Sequence, residues 1–273
     1  MSVETSDTVE PAAGGKQGTT SAGVKTTLAV LDLLAATAPL GLSEIARELG
    51  IAKSTLHRIC AILVERGWAV RDSDGRFALG IRALRLGSSS ADLPIVTAFR
   101  TVAAEFLTRH DETIALAVLD GGESLFIALE ETSQPVRLVT HVGSKTPAFA
   151  SASGRVVLAS FPPAAVAARF GGQVLVTPTG RRLNGVPELQ GILVEVRERG
   201  YAENWGDTAE GLYAVSAPVV NGEEVTIAAL TTCVPVCRMT PERRELIVTD
   251  LRTLGATLSE LIRWLPSFDA RHS

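Results

Sequence analysis

The chain reads as an α+β protein in two parts. Three observations predict this. Up to about residue 86 the pattern is three helices closed by a short hairpin. From about residue 111, runs of strands mix with segregated helices. The charge divides at the same place. Gly23–Gly87 carries nine Lys and Arg against six Asp and Glu, and the residues from Ser88 onward carry sixteen against twenty-one. A mildly basic segment on an acidic body suggests a nucleic-acid module joined to something else. At 273 residues and 46% hydrophobic, the chain can build two cores.

The first part, residues 23–86, can be justified element by element. "VKTTLAVLDLLAAT" has strong helix formers and an apolar stripe at Leu28, Leu31 and Ala35. Pro39 and Gly41 end the connection. "LSEIARELG" is a second helix, with Ser43 expected at the N-cap, Glu44 in the first turn and Gly50 at a left-handed C-cap. A turn of about three residues leads into "KSTLHRICAILVERG". There Leu56, Ile59, Cys60 and Leu63 recur at i, i+3, i+4 and i+7 and predict the buried face. In "WAVRDSDGRFAL", Trp68 and Val70 alternate with polar or small residues, as do Phe77 and Leu79, about an Asp74-Gly75 turn. Helix, helix, turn, helix and hairpin make a winged helix-turn-helix.

The outer face of the third helix is where chemistry would sit. Ser54, Thr55, His57 and Arg58 open it, and Lys53 precedes them. In this motif the N-terminal residues of that helix meet base edges in the major groove. Hydroxyls bond phosphates or bases, and Arg bonds guanine at two points. Lys53 and the wing residues Arg71 and Arg76 are placed for phosphate. The bland alternative is a solvated helix face.

Composition excludes several classes. No apolar run approaches the ~20 residues that a membrane span needs. Residues 1–22 lack the basic start and apolar core of a signal peptide and are expected to be a disordered tail. Cys60, Cys233 and Cys237 are an odd, sparse set, which argues for reduced thiols in a cytoplasm. Cys233 and Cys237 lie four apart, but no second Cys or His pair completes a metal site, so no metal is expected. No nucleophile elbow, zinc-protease motif, phosphate loop or dinucleotide fingerprint is present, so neither a cofactor nor catalysis is expected.

After the break "GSSSADLP", residues 87–110 hold a linker helix, "IVTAFRTVAAEFLTR", with Val102, Phe106 and Leu107 inward. In residues 111–273, "TIALAVLDGGESLFIALEE" predicts two strands about Gly-Gly, and "VRLVTHV" a third. "SASGRVVLASF" starts a helix, Pro162-Pro163 break it, and "AAVAARF" resumes. "ELQGILVEVRERG" is another helix. "LYAVSAPVV" and "VTIAALTTCV" form a hairpin about Asn221-Gly222. The last helix has Thr240 at its N-cap, Pro241 at its first position and a stripe of Ile247, Leu251, Leu254, Leu258 and Leu261.

Four motifs, in order, resemble the isocitrate lyase regulator (IclR) family of bacterial transcription factors. These are "STLHRICAILVERG", "RFALGIRALRLG", "ASASGRVVLA" and "RERGYAENWGDTAEGLYAVSAPV". The resemblance runs from about Val24 to Leu265. It implies a GAF-like antiparallel-sheet effector domain after the linker helix, with a pocket between the sheet and the helix opened by the small-residue motif. Carried over residue by residue, that pocket is Leu138, Ala152, Ser153, Asn204, Ala214, Thr231 and Cys233. Many relatives have an acid at Asn204 and a Ser at Cys233, which makes this pocket less anionic and less polar. The implied partners are double-stranded operator DNA and a small-molecule effector. A homodimer is expected because the apolar faces of the helices exceed what one small domain needs, and the resemblance suggests pairs of dimers. The competing class is an architectural or protein-interaction module without ligand response.

Overall fold

The computed structural model describes residues 17–89 and 93–265. The chain divides into two compact units, residues 1–90 and 91–273, where the sequence suggested 86/87. The expected tail lies outside the described residues up to residue 16. Its last residues already belong to α1 (Gln17–Thr37).

The first unit continues with α2 (Leu42–Leu49), α3 (Lys53–Glu65), β1 (Ala69–Arg71), β2 (Phe77–Leu79) and α4 (Ile81–Ser89). Its core is Val30, Leu34, Leu40, Ile45, Leu56, Ile59, Cys60, Leu63, Ala69 and Phe77. The α3 stripe is the expected one. The α1 stripe is not: Val30 and Leu34 face the core, while Leu28 is 56% exposed and Ala35 is exposed. α1 carries two apolar stripes, and sequence periodicity cannot say which one packs.

Gly41, not Ser43, precedes the first helical residue of α2. Gly41 has no side-chain acceptor, so the Glu44 carboxylate reaches back and accepts its N–H at 2.7 Å. Gly50 is left-handed at φ 63°, as expected. In the wing, Phe77 points inward as expected, but in the first strand Ala69 points inward and Val70 outward, the reverse of the expected alternation. Leu40 fixes this phase by exchanging both backbone hydrogen bonds with Phe77, at 3.0 and 2.8 Å. Asp72 Oδ1 accepts from the N–H groups of Asp74 and Arg76 and closes the turn. α4 directly follows the wing, and the sequence reading did not anticipate it.

The second unit begins with α5 (Pro94–His110), then β3 (Ile114–Asp120), β4 (Glu123–Glu130) and β5 (Lys145–Pro147). α6 (Ala152–Ala159), α7 (Pro163–Phe170) and α8 (Val186–Arg199) follow, then β6 (Ala202–Trp205), β7 (Leu212–Val220), β8 (Thr226–Pro235) and α9 (Pro241–Leu261). The strands form one antiparallel sheet in the order β5-β4-β3-β8-β7-β6. Strand period sorts its two faces. Ile114, Leu116, Tyr213, Val215, Leu230 and Val234 pack with α5 and α9. Leu119, Ala214, Ala229 and Cys233 pack with α6, α7 and α8.

Three expectations change here. "VRLVTHV" is not a strand: the chain leaves β4 at Glu130 and re-enters the sheet only at Lys145. β6 was not foreseen. In α9 the N-cap is Thr240 as expected, accepting from Arg243 N at 3.2 Å, but Leu261 is exposed and Ile262 completes the buried stripe.

Candidate functional site

Lys53, Ser54, Thr55, His57 and Arg58 are all exposed on the first turns of α3, opposite Leu56, Ile59, Cys60 and Leu63. The tight turn after Gly50 and the packing of Leu56 against Ile45 and Val30 fix which face looks out. The wing arginines are more constrained than the sequence implied. The Arg71 guanidinium lies 5.5 Å from the Phe77 ring centroid and donates to Gly75 O at 3.3 Å. Arg76 Nη2 pairs with Glu44 Oε2 at 3.2 Å, so a carboxylate of α2 shares its charge. Both side chains stay exposed.

In the second unit, a cavity of about 110 Å³ opens where α6 starts. Its walls are Phe126, Leu138, Ala152, Ala209, Leu212 and Ala214, with hydroxyls from Thr140, Thr146, Ser151, Ser153, Thr208 and Thr231 and the thiol of Cys233. No charged side chain lines it. The space exists because the sheet positions facing α6 are small: Ala214, Ala229 and Cys233. The turn before α6 packs directly against the helix because Gly154 has no side chain. A Cβ there would lie 2.3 Å from Ala148 Cα and Ala148 O.

Local capping aims the helix start. Ser151 is the N-cap and its Oγ accepts from Gly154 N at 3.1 Å. The N–H groups of the first turn precede the first intrahelical bonds and carry the positive end of the helix dipole. Ser153 Oγ meets Ser124 Oγ at 2.7 Å, and Thr231 Oγ1 meets Ser216 Oγ at 2.7 Å. In each pair one hydroxyl donates to the other, which leaves one proton of the pair for a further acceptor. Burial pushes the Cys233 thiol up to about 12, so it stays protonated and acts as a weak donor.

Of the seven expected pocket residues, Leu138, Ala152, Ser153, Ala214, Thr231 and Cys233 line the cavity together. Asn204 does not. Its Nδ2 donates to Ala150 O at 2.6 Å and its Oδ1 accepts from Asp207 N at 2.8 Å, so it ties the turn before α6 to the 206–211 loop. Asp207 in turn accepts from buried Arg155 at 2.6 Å and from Arg181 at 3.2 Å. Sequence reasoning missed Phe126, Thr140, Thr146, Ser151, Thr208, Ala209 and Leu212. Only their strand register and loop position bring them here, apart from Ser151, whose place before "ASG" is an N-cap signal. Cys233 is buried in this wall and Cys237 is exposed on the next turn, Val236–Arg238. Among the described residues no cluster of His, Cys, Asp and Glu could hold a metal ion, and no helix is long and apolar enough to cross a membrane.

Comparison with known proteins matches two models in order. The IclR helix-turn-helix domain covers residues 24–73, and the bacterial transcriptional regulator IclR C-terminal domain covers residues 88–260. A glycerol operon regulatory protein of Streptomyces griseus is 32% identical over 81% of this chain and 87% of its own. An IclR transcriptional regulator from Alicyclobacillus acidocaldarius superposes with a TM-score of 0.78 at 26% identity, over 88% of this chain and 98% of the other. An IclR homolog from Microbacterium hydrocarbonoxydans, complexed with 4-hydroxybenzoate, shares the fold with a TM-score of 0.70 at 24% identity, over 87% and 99% of the two chains.

Proposed function

This chain belongs to the IclR family of bacterial transcriptional regulators, and from that premise we propose that a small organic acid, bound at the start of α6, sets how tightly α3 holds operator DNA. The chain is a DNA-binding regulator and not an enzyme. Ser54, Thr55, His57 and Arg58 read base edges, while Lys53, Arg71 and Arg76 meet phosphates. The effector occupies the cavity among Leu138, Ala152, Ser153, Ala214, Thr231 and Cys233. Its carboxylate faces the first turn of α6, and its remaining polar groups meet Ser153 and Thr231.

The observation that carries this reading is a concave space with apolar walls, convergent hydroxyls and a helix start, in a chain whose other unit presents a polar recognition face. The IclR homolog complexed with 4-hydroxybenzoate has the same fold, which supports a small-molecule ligand for this chain. The working unit is a homodimer in the cytoplasm, able to pair into a dimer of dimers. The outer side of α1, with Val24, Leu28 and Ala35 exposed and Leu31 half-buried at the edge of the core, has the 4-3-4 spacing of a helix–helix seam and supports it.

A thermal-shift screen of small monocarboxylates, dicarboxylates and neutral polyols, followed by operator titrations with each hit, tests the proposal. A ligand of the native state raises the melting temperature. A coupling of ~1–3 kcal/mol changes operator affinity ~5–150-fold. Hits that bind but leave operator affinity unchanged, or that still act on Ser153→Phe with the same dose dependence, overturn it.

A further inference from the structure

Residues 136–142, "VRLVTHV", have the β-branched, alternating composition of a strand, yet they form none. Leu138 and Thr140 line the pocket instead, while Val136, Val139 and Val142 point outward, Val139 at 85% exposure. The segment is held at both ends. Val136 O accepts from Arg238 Nη1 at 2.7 Å. At the far end Ser144 N donates to His141 O at 3.0 Å, closing a tight turn with Gly143 at φ 96°.

Gly143 is the reason the strand stops. Gly143 N donates to Phe126 O at 2.8 Å, and Phe126 N donates to Ser144 O at 3.0 Å. Two residues thus oppose one, with a left-handed glycine first. That is a glycine β-bulge, which bends its strand away from its partner. Beyond Phe126, no described strand pairs with β4 on that edge. An unpaired edge and a diverted, strand-prone segment therefore lie side by side.

We infer that residues 136–142 are a two-position strap: seated over the pocket while Gly143 is left-handed, and paired with the free edge of β4 at 127–130, leaving the pocket open, when Gly143 becomes extended. Pairing with β4 withdraws Leu138 and Thr140 from the cavity, so a ligand that touches them favours the seated position. Resting on the effector reading above, this makes closure of the strap the first step by which ligand is felt.

The test uses the full chain without ligand, so it stands whether or not an effector is found. A Cβ on Gly143 meets no atom within 4 Å, so substitutions there act through backbone conformation alone. A side chain costs ~1–2 kcal/mol in the left-handed region, equivalent to about a 5–30-fold shift in population. Gly143→Val, and the milder Gly143→Ala, should slow hydrogen exchange at 127–130 and 137–142. They should also speed maleimide labelling of Cys233, which lines the pocket, about 5–30-fold. Gly143→Asn, which tolerates the left-handed region, should resemble wild type. Exchange in β3 and labelling of Cys60 should not change in any variant, which separates strap movement from unfolding. Unchanged protection and Cys233 labelling in both Gly143→Val and Gly143→Ala, or faster exchange at 127–130, would overturn the inference and leave the effector reading standing.

Discussion

Arg155 Nη2 donates to Asp207 Oδ2 at 2.6 Å, and both side chains are more than nine-tenths buried. Arg155 sits on α6, and Asp207 opens the loop that brings Thr208 and Ala209 to the pocket. The guanidinium also donates to Phe149 O at 2.9 Å and to Glu203 O at 3.4 Å, so one residue spans the turn before α6, the edge of the sheet and the loop. Arg155→Met leaves a buried carboxylate with only Arg181 and should cost ~3–5 kcal/mol. Arg155→Met with Asp207→Leu should cost clearly less than the sum of the single changes, and urea denaturation of the four proteins of the cycle measures the difference.

The recognition face makes a sharper claim. Arg58→Ala should weaken operator binding by ~1–3 kcal/mol and relax preference at one base position, while Lys53→Ala should weaken binding to all sequences and lower the salt slope by about 1. Fluorescence anisotropy across salt concentrations with two operator variants distinguishes them. Arg76→Ala should have a smaller effect than Arg58→Ala, because Glu44 already shares the Arg76 charge. An Arg58→Ala protein with wild-type affinity would show that α3 is not the reading helix.

The outer stripe of α1 predicts an asymmetry between neighbouring positions. Leu28→Asp, on the exposed side, should leave the fold of the first unit intact but push the protein toward monomer and weaken operator binding. Leu34→Asp should unfold that unit, since Leu34 is in the core. Light scattering and circular dichroism read the two outcomes. A Leu28→Asp protein that remains as oligomeric as wild type excludes the α1 seam.

Acid stability should depend on Asp111. The Ser133 backbone N–H, followed by the hydroxyls of Thr132 and Ser133, holds its carboxyl at about 2, below its ordinary 3.8, with the Gln134 amide adding to them. A lowered pKa means the contribution is complete above about 3.8 and is lost as pH falls toward about 2. Asp111→Asn should therefore flatten the melting temperature's dependence on pH in that window and change its slope little above it. An equal slope in both proteins between pH 2 and 4 would assign the acid sensitivity elsewhere.

Much of the architecture could be read from local signals. The α3 stripe, Gly50, the Asp74-Gly75 turn, Thr240 and both large hairpins depend on residues a few positions apart. What failed depended on distant partners. Leu28 and Leu34 are equally apolar, and only the position of α2 and α3 decides between them. Val70 points outward because Leu40, thirty-seven residues before Phe77, sets the phase of the wing. Asn204 is next to the pocket wall in strand register, opposite Ala214, but Ala150 and Asp207 occupy its amide. Ser124 and Ser216, which hold the hydroxyls of Ser153 and Thr231, carry no motif and are found only by strand register.

Glu112 is fully buried and accepts from Arg238 at 2.9 and 2.7 Å and from Arg243 at 2.8 Å. These partners lie 126 and 131 residues further along the chain. β3, beside Glu112, likewise has β8 as its inner neighbour in the sheet. During synthesis, this carboxylate therefore waits unpaired until the start of α9 has left the ribosome. The DNA-binding unit draws the core described above from Val30 to Phe77 and can fold as it emerges. The second unit folds only after α9 has been made. A newly made molecule thus completes its DNA-binding unit before the unit that follows it.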